Sequence, residues 1–158
     1  MNNHLDHISA MANNVGYCEA VEKLLAIEVP ERAQFLRVMV CEMSRISDHL
    51  FLLATYAHDI GDMSVFLYCF RERETLLEIF TELCGGRLTN NYTRLGGVGQ
   101  DITHATMMKL ELFVDEFPTI VEELEALIDT NRWLKRTIGL GQVSAEKAVD
   151  LCLTGTSL

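Results

Sequence analysis

The sequence predicts an all-α fold: a helical bundle built on one long central helix, with a short Gly-rich turn or hairpin between helices. Three observations carry that reading. Apolar residues recur at spacings of three, four and seven through most of the chain, the period of a helix and not of a strand. Pro30 and Gly61 bracket the longest such run as its start and stop signals. With 158 residues and 49% hydrophobic content, the chain has enough apolar side chain to fill the core of a single helical domain, residues 1–158.

The central helix is expected over Pro30 to Gly61, and at 1.5 Å per residue it is roughly 45 Å long, so it forms the spine of the bundle. Leu36, Val40, Met43, Leu50, Ala54 and Ala57 mark one apolar face, while Val38, Phe51, Leu52 and Tyr56 extend over others. A helix apolar on several faces is expected to be buried. The charges along it, Arg37, Glu42, Arg45, Asp48, His49, His58 and Asp59, then need partners.

The remaining elements follow in order. A first helix is expected over Leu5 to Leu25, carried by Ile8, Met11, Val15, Cys18, Val21, Leu24 and Leu25, with Ser9 or Asn13 as its cap. After a short link at Gly61 to Met63 a helix runs from Ser64 to Cys84, ended by Gly85 and Gly86 and packed antiparallel to the spine. Its middle carries the run Arg71-Glu72-Arg73-Glu74, most simply a helix face laced with opposite charges. Arg87 to Ile102 is the least helical stretch; Gly96, Gly97 and Gly99 predict a turn or hairpin whose backbone lies close to a neighbour. A long amphipathic helix follows from Asp101 or Thr103 to about Thr130, with a kink or break predicted near Phe117 by Pro118. A short basic segment, Arg132 to Arg136, and a loop over Gly139 to Val143 lead to a last helix opened by Ser144.

Composition narrows the function. A net charge of −10 offers no basic surface for a phosphate backbone, so direct nucleic-acid binding is not expected. Five scattered cysteines form no CxxC pair and read as reduced thiols of a cytosolic compartment. No apolar run approaches the length that spans a bilayer. A di-metal bundle site requires Glu-x-x-His on facing helices, and no glutamate stands three residues before a histidine. The Gly-rich segment lacks the GxGxxG and GK[ST] patterns that cradle phosphates. His4 and His7, three apart, are too few ligands for a secure metal site.

His58-Asp59, at the end of the spine, is the candidate with chemistry in it. An imidazole titrating near ~6.5 beside a carboxylate is placed to move protons, although a local pair at a helix end explains the same spacing. Glu42 can meet Arg45, and Arg45 can meet His49, as structural pairs one turn apart.

Taken together, the blocks LDHISAMANN at Leu5, AVEKLL at Ala20, VPERAQFLRV at Val29, HDIGDM at His58, FRERE at Phe70, GGRLTNNYTRLGGV at Gly85 and NRWLKRTIGLGQVSAEKA at Asn131 resemble the D-type, quinone-site subunit of respiratory complex I. That family is related to the large subunit of nickel-iron hydrogenases. The resemblance covers essentially the whole chain and implies the central part of a longer subunit, without its N-terminal β-rich region and its C-terminal part. It implies no cofactor bound by this chain: quinone is the substrate, and the terminal iron-sulfur cluster sits in a neighbouring subunit. That cluster subunit and the C-type subunit are the implied partners, with the assembly peripheral to the membrane on its cytoplasmic side. In the family a tyrosine of an LDYVS-like block and a histidine of the N-terminal region hold the quinone headgroup, and an aspartate pairs with that histidine. The aspartate maps to Asp59, Met63 follows in the same block, and the tyrosine position is His7, a departure from the pattern. A histidine that some members place beside the cluster is Thr89 here. The resemblance therefore implies NADH:quinone oxidoreduction by the assembled complex, with the segment alone inactive. Two other readings stay open: a catalytically silent helical scaffold for assembly, and a hydrogenase-like relative with a different electron acceptor.

Overall fold

The computed structural model describes residues 4–129 and 132–155. It is helical apart from one two-stranded ribbon: α1 (Ala10–Leu25), α2 (Glu31–Asp59), α3 (Met63–Cys84), β1 (Thr93–Arg94), β2 (Gly97–Val98), α4 (His104–Asp129), α5 (Arg132–Thr137) and α6 (Ala145–Asp150). The all-α expectation holds. The chain divides into two compact units, residues 1–124 and 125–158. The expected end of the long helix at Thr130 and the start of the last sequence block at Asn131 lie outside the described residues.

In the first unit α2 is the spine, opened by Pro30, whose missing N–H costs nothing at a helix start. It stops where the chain needs a left-handed residue: Gly61 takes φ 87°, and Asp62 N–H reaches back to the Ala57 carbonyl at 2.8 Å. The return helix α3 is capped by Asp62, whose carboxylate accepts from the N–H groups of Ser64 at 3.1 Å and Val65 at 3.2 Å. His58 meets Phe66, and Phe51 meets Phe70, so the two helices run antiparallel as expected.

Leu36, Val40 and Met43 of α2 pack with Leu76, Phe80 and Leu83 of α3, with Met11 of α1, and with Leu110 and Phe113 of α4. Only one face of α2 is buried among the described residues. Val38, Leu52 and Tyr56 are exposed, which corrects the expectation of a spine covered on several faces. Most of its charges stand in solvent too; Arg37 is the one charged residue of the helix that is fully buried, and Asp48 is half-buried. Glu42 and Arg45 form the expected pair on the surface.

Three further boundaries differ from the sequence reading. α1 begins at Ala10 because the Asp6 carboxylate accepts from the N–H groups of Ile8 (2.8 Å) and Ser9 (3.3 Å), holding residues 6–9 in a turn. α4 runs unbroken through Pro118. The carbonyl that loses its donor there belongs to Val114, an exposed residue, and stacking of Phe113 on Phe117 bridges the turn before the proline at 4.9 Å between ring centroids. Within the Arg71–Glu74 run, Glu72 and Arg73 are buried, so that run is not a solvated face.

The hairpin pairs Thr93 with Val98 and Arg94 with Gly97, leaving Leu95-Gly96 as the turn. Its backbone is gripped by a buried ion pair. Arg37 donates to both Glu22 oxygens at 2.8 and 2.6 Å, to the Arg94 carbonyl at 2.9 Å and to the Gly97 carbonyl at 3.0 and 3.2 Å. Glu22 in turn accepts from the Gly96 N–H at 2.7 Å. Gly96, at φ 80°, and Gly97 lie against Ile27 and Ala33, the close approach that the glycines predict.

In the second unit, Ser144 caps α6 by accepting from the Lys147 N–H at 3.2 Å.

Arg37 holds the Glu22 carboxyl below its ordinary range, so this pair stabilises the fold above the unfolded carboxylate value and loses that contribution as pH falls through the folded one. Arg37→Ala leaves Glu22 charged and unpaired with 6% of its side chain exposed, and is expected to cost roughly 3–5 kcal/mol in chemical denaturation. The double variant Glu22→Leu/Arg37→Met is expected to be less destabilised than that single one, because no charge remains buried.

Candidate functional site

The candidate residues distribute over two places on the first unit. The corner between α2 and α3 carries His58, Asp59 and Met63 within one connection. All three are exposed, Asp59 with 81% of its side chain in solvent. His58 Nδ1 lies 4.0 Å from Asp59 Oδ1, at the outer limit of an ion pair, and its ring leans on Phe66 with centroids 5.5 Å apart. Asp62, three residues on, is committed to the α3 cap, whereas Asp59 has no capping or packing duty. The corner thus presents an imidazole and a carboxylate outward, free to meet a ligand or another chain.

His7 stands elsewhere, on the exposed turn before α1. Its ring meets His4 edge-on with centroids 6.4 Å apart. The turn is tied to α2 where the Ser9 hydroxyl donates to Asp48 Oδ2. Asp48 is eleven residues before Asp59 on the same helix, which is about 16 Å along the axis. The turn that carries His7 and the corner that carries Asp59 are thus attached to the same helix about three turns apart.

Between the two places runs a seam that residue order did not announce. From the corner, His58 leans on Phe66, Phe66 on Phe70 at 4.6 Å, Phe70 on Phe51 at 6.0 Å, and the Arg73 guanidinium lies over Phe51 at 5.4 Å. Arg73 is buried, and burial pulls its pKa down while the Asp48 charge opposes that. Burial pushes the Asp48 carboxyl up; Asp6 adds to the rise, and the Ser9 hydrogen bond, Arg73 and His49 work against it. Among the described residues, Asp48 Oδ1 and Arg73 Nε have no hydrogen-bond partner. Asp48 was legible only as one of the charges on the spine; its singular burial depends on which face meets α3.

Thr89 is exposed at the surface of the loop after α3, where its hydroxyl offers a donor and an acceptor but no titrating group at neutral pH. Among the described residues, no three His, Cys, Asp or Glu side chains come together in a way that holds a metal ion. Among the same residues no helix is long and apolar enough to cross a membrane.

Comparison with known proteins gives a consistent result. Residues 59–158 match the family described as respiratory-chain NADH dehydrogenase, 49 Kd subunit. The chain is 51% identical over its whole length to the second of the D-type NADH-quinone oxidoreductase subunits of Thermodesulfovibrio yellowstonii, covering 40% of that protein. It is 46% identical, again over its whole length, to the D-type NADH-quinone oxidoreductase subunit of Trichlorobacter lovleyi, covering 41% of it. For the corresponding D-type protein of Campylobacter jejuni subsp. doylei the identity is 46% over 98% of this chain and 38% of the relative. The chain spans about two fifths of the length of the relatives it matches.

Because Asp48 has a raised carboxyl, the folded chain binds more protons at this site than the unfolded chain between the two values. Its contribution to stability is therefore fully present below the ordinary carboxylate range near ~4 and is lost as pH rises through the folded value. Asp48→Asn removes that loss, so thermal denaturation is expected to show the variant gaining on the wild type as pH rises from about 3 to 7.

Proposed function

This chain belongs to the family of the 49 kDa subunit of respiratory-chain NADH dehydrogenase, and from that premise we propose that it lines the quinone-reduction cavity of an NADH:quinone oxidoreductase. The quinone comes from the name its relatives carry, NADH-quinone oxidoreductase. The observation that carries the reading to particular residues is the exposed acid–base corner, where Asp59 stands in solvent beside His58, whose ring rests on Phe66. A carboxylate that supports no part of the fold is free to serve a neighbour or a substrate.

In this reading the residues divide the work. Quinone takes up two electrons and two protons to become quinol, so its two carbonyl oxygens need hydrogen-bond donors while charge develops on them. His7, on its exposed turn, donates an imidazole N–H to one carbonyl oxygen. Asp59, about 16 Å along α2 from the point where that turn is tied, acts at one remove: it accepts from and orients a histidine supplied from outside this segment. Met63 adds an exposed, polarisable thioether at the same corner for the flat ring to lie against. An iron-sulfur cluster in a neighbouring subunit supplies electrons one at a time, having received them from NADH through other subunits.

The partners in this proposal are the other subunits of the complex, above all the cluster-bearing subunit and the C-type subunit. Membrane association is peripheral and reached through them, on the cytoplasmic side. NADH and metal are handled elsewhere in the assembly, and the segment alone does not turn over.

Two measurements on the assembled complex test the assignment. Asp59→Asn is expected to lower quinone reduction at least about tenfold, the scale of losing a residue that orients a ligand-holding histidine, while NADH oxidation by an artificial acceptor is unaffected. Unchanged quinone reduction removes Asp59 from the cavity. For His7, exchanging the imidazole donor for a phenol in His7→Tyr is expected to shift the pH profile of the quinone KM. Superimposable profiles remove His7 from headgroup contact.

A further inference from the structure

The turn that presents His7 has few anchors. Every described residue before Ser9 is exposed, from His4 to Ile8. The hydrogen bonds of Asp6 are local to the turn, joining it to Ile8 and Ser9. The first side chains buried in the core are Ala10 and Met11, already in the helix. Between the exposed turn and that helix stands Ser9, the N-cap of α1 by position. A serine at an N-cap usually turns its oxygen back onto its own helix. Here it makes no such bond, and its hydroxyl goes to Asp48 of α2.

Asp48 is held as a fixed acceptor. It is half-buried, its Oδ1 has no hydrogen-bond partner among the described residues, and Oδ2 takes the Ser9 hydroxyl. The charged groups facing it from the packed elements are Asp6 on the turn, Arg73 on α3 and His49 on its own helix. Arg73 is itself fixed, buried over the ring of Phe51. A carboxylate in such surroundings has one productive use, and Ser9 is that use.

We propose that Asp48 is a positioning residue for His7: through the Ser9 hydroxyl it pins the Asp6–Ser9 turn to α2 and so determines where the imidazole stands relative to the quinone. The link to quinone rests on the function proposed above; the pin itself rests on the three-element junction of turn, α2 and α3. The arrangement lets a residue on an otherwise exposed turn be placed as firmly as one on a helix, which a group meeting a substrate atom requires. Asp48 touches no substrate, and its effect on catalysis passes through Ser9 and the turn.

The test separates the pin from the quinone reading. In the full chain, amide hydrogen exchange at Ile8 and Ser9 is expected to speed up about tenfold in Asp48→Ala and in Ser9→Ala. Asp48→Asn, which keeps an acceptor oxygen for the hydroxyl, is expected to retain the wild-type rates. Exchange unchanged in both alanine variants, or no rescue by asparagine, overturns the pin. In the assembled complex, both alanine variants are expected to raise the quinone KM about tenfold with kcat nearly unchanged, and combining them is expected to add little, since they break one contact. His7→Ala is the control. If His7→Ala leaves the quinone KM unchanged while exchange at the turn accelerates as expected, the quinone reading falls and the pin stands. If His7→Ala raises KM and neither Asp48→Ala nor Ser9→Ala does, the positioning role falls and the quinone reading stands.

Discussion

The buried pair of Glu22 and Arg37 is the contact on which the first unit depends, because three separate elements meet at its polar atoms. Arg37 is on the spine, Glu22 on α1, and the carbonyls of Arg94 and Gly97 belong to the hairpin. Each partner alone is a buried charge of the kind that folded proteins exclude. Together, with the Gly96 N–H filling the second demand on Glu22, both carboxylate oxygens and most of the guanidinium's donors are used. The hairpin in particular has only two residues per strand, too few to hold a shape by its own ladder. Its conformation is an imprint of the ion pair beneath it, and Gly96 supplies the left-handed backbone, φ 80°, that its turn requires.

The second organising feature is the antiparallel contact of α2 and α3, where polar and aromatic groups are graded along its length. At the corner the seam is open, with His58 leaning on Phe66 in solvent. Further in, the rings of Phe70 and Phe51 meet, and at the far end the Arg73 guanidinium lies over Phe51, with burial acting on both Arg73 and Asp48. A desolvated cation facing a desolvated carboxylate is sensitive to small displacements, since in a low-dielectric setting the attraction changes steeply with separation. The seam thus ends in a buried guanidinium and a half-buried carboxylate. The turn carrying His7 is attached to it through Ser9.

Most of this architecture was readable from residue order, and what was not has a common cause. Helix positions followed from local signals: Pro30 and Gly61 for α2, Gly85 and Gly86 for the end of α3, and the spaced apolar residues for α4. The glycines announced the hairpin and its close approach to a neighbour. The start of α1 was misjudged because Leu5 and Ile8 fit a helical period, whereas the Asp6 carboxylate captured two N–H groups and held a turn instead. The break expected at Pro118 failed because the freed carbonyl lies at an exposed residue and the neighbouring rings stack across the turn. Burial was the harder quantity. The charges on α2 read alike in sequence, yet only Arg37 is fully buried and Asp48 partly, a distinction made by which face α1 and α3 cover. The proposed site residues come from resemblance rather than from periodicity, since His7 and Asp59 are both exposed and exposed residues leave no packing signature.

Asp59 illustrates why that resemblance points to chemistry and not to architecture. It is the last residue of α2, where the helix dipole places partial negative charge and a carboxylate is disfavoured. Its one ion-pair candidate among the described residues, the adjacent His58, is 4.0 Å away, so no strong local bond offsets that cost. Three residues later Asp62 sits at the opposite pole of the next helix, where the dipole favours it and two N–H groups bind it. One corner therefore holds two aspartates with opposite structural accounts, one explained entirely by the fold and one against the fold's own preference. The function proposed above gives the exposed Asp59 a partner from outside this segment, at the C-terminal end of the spine, while the middle of the spine holds the turn that carries His7.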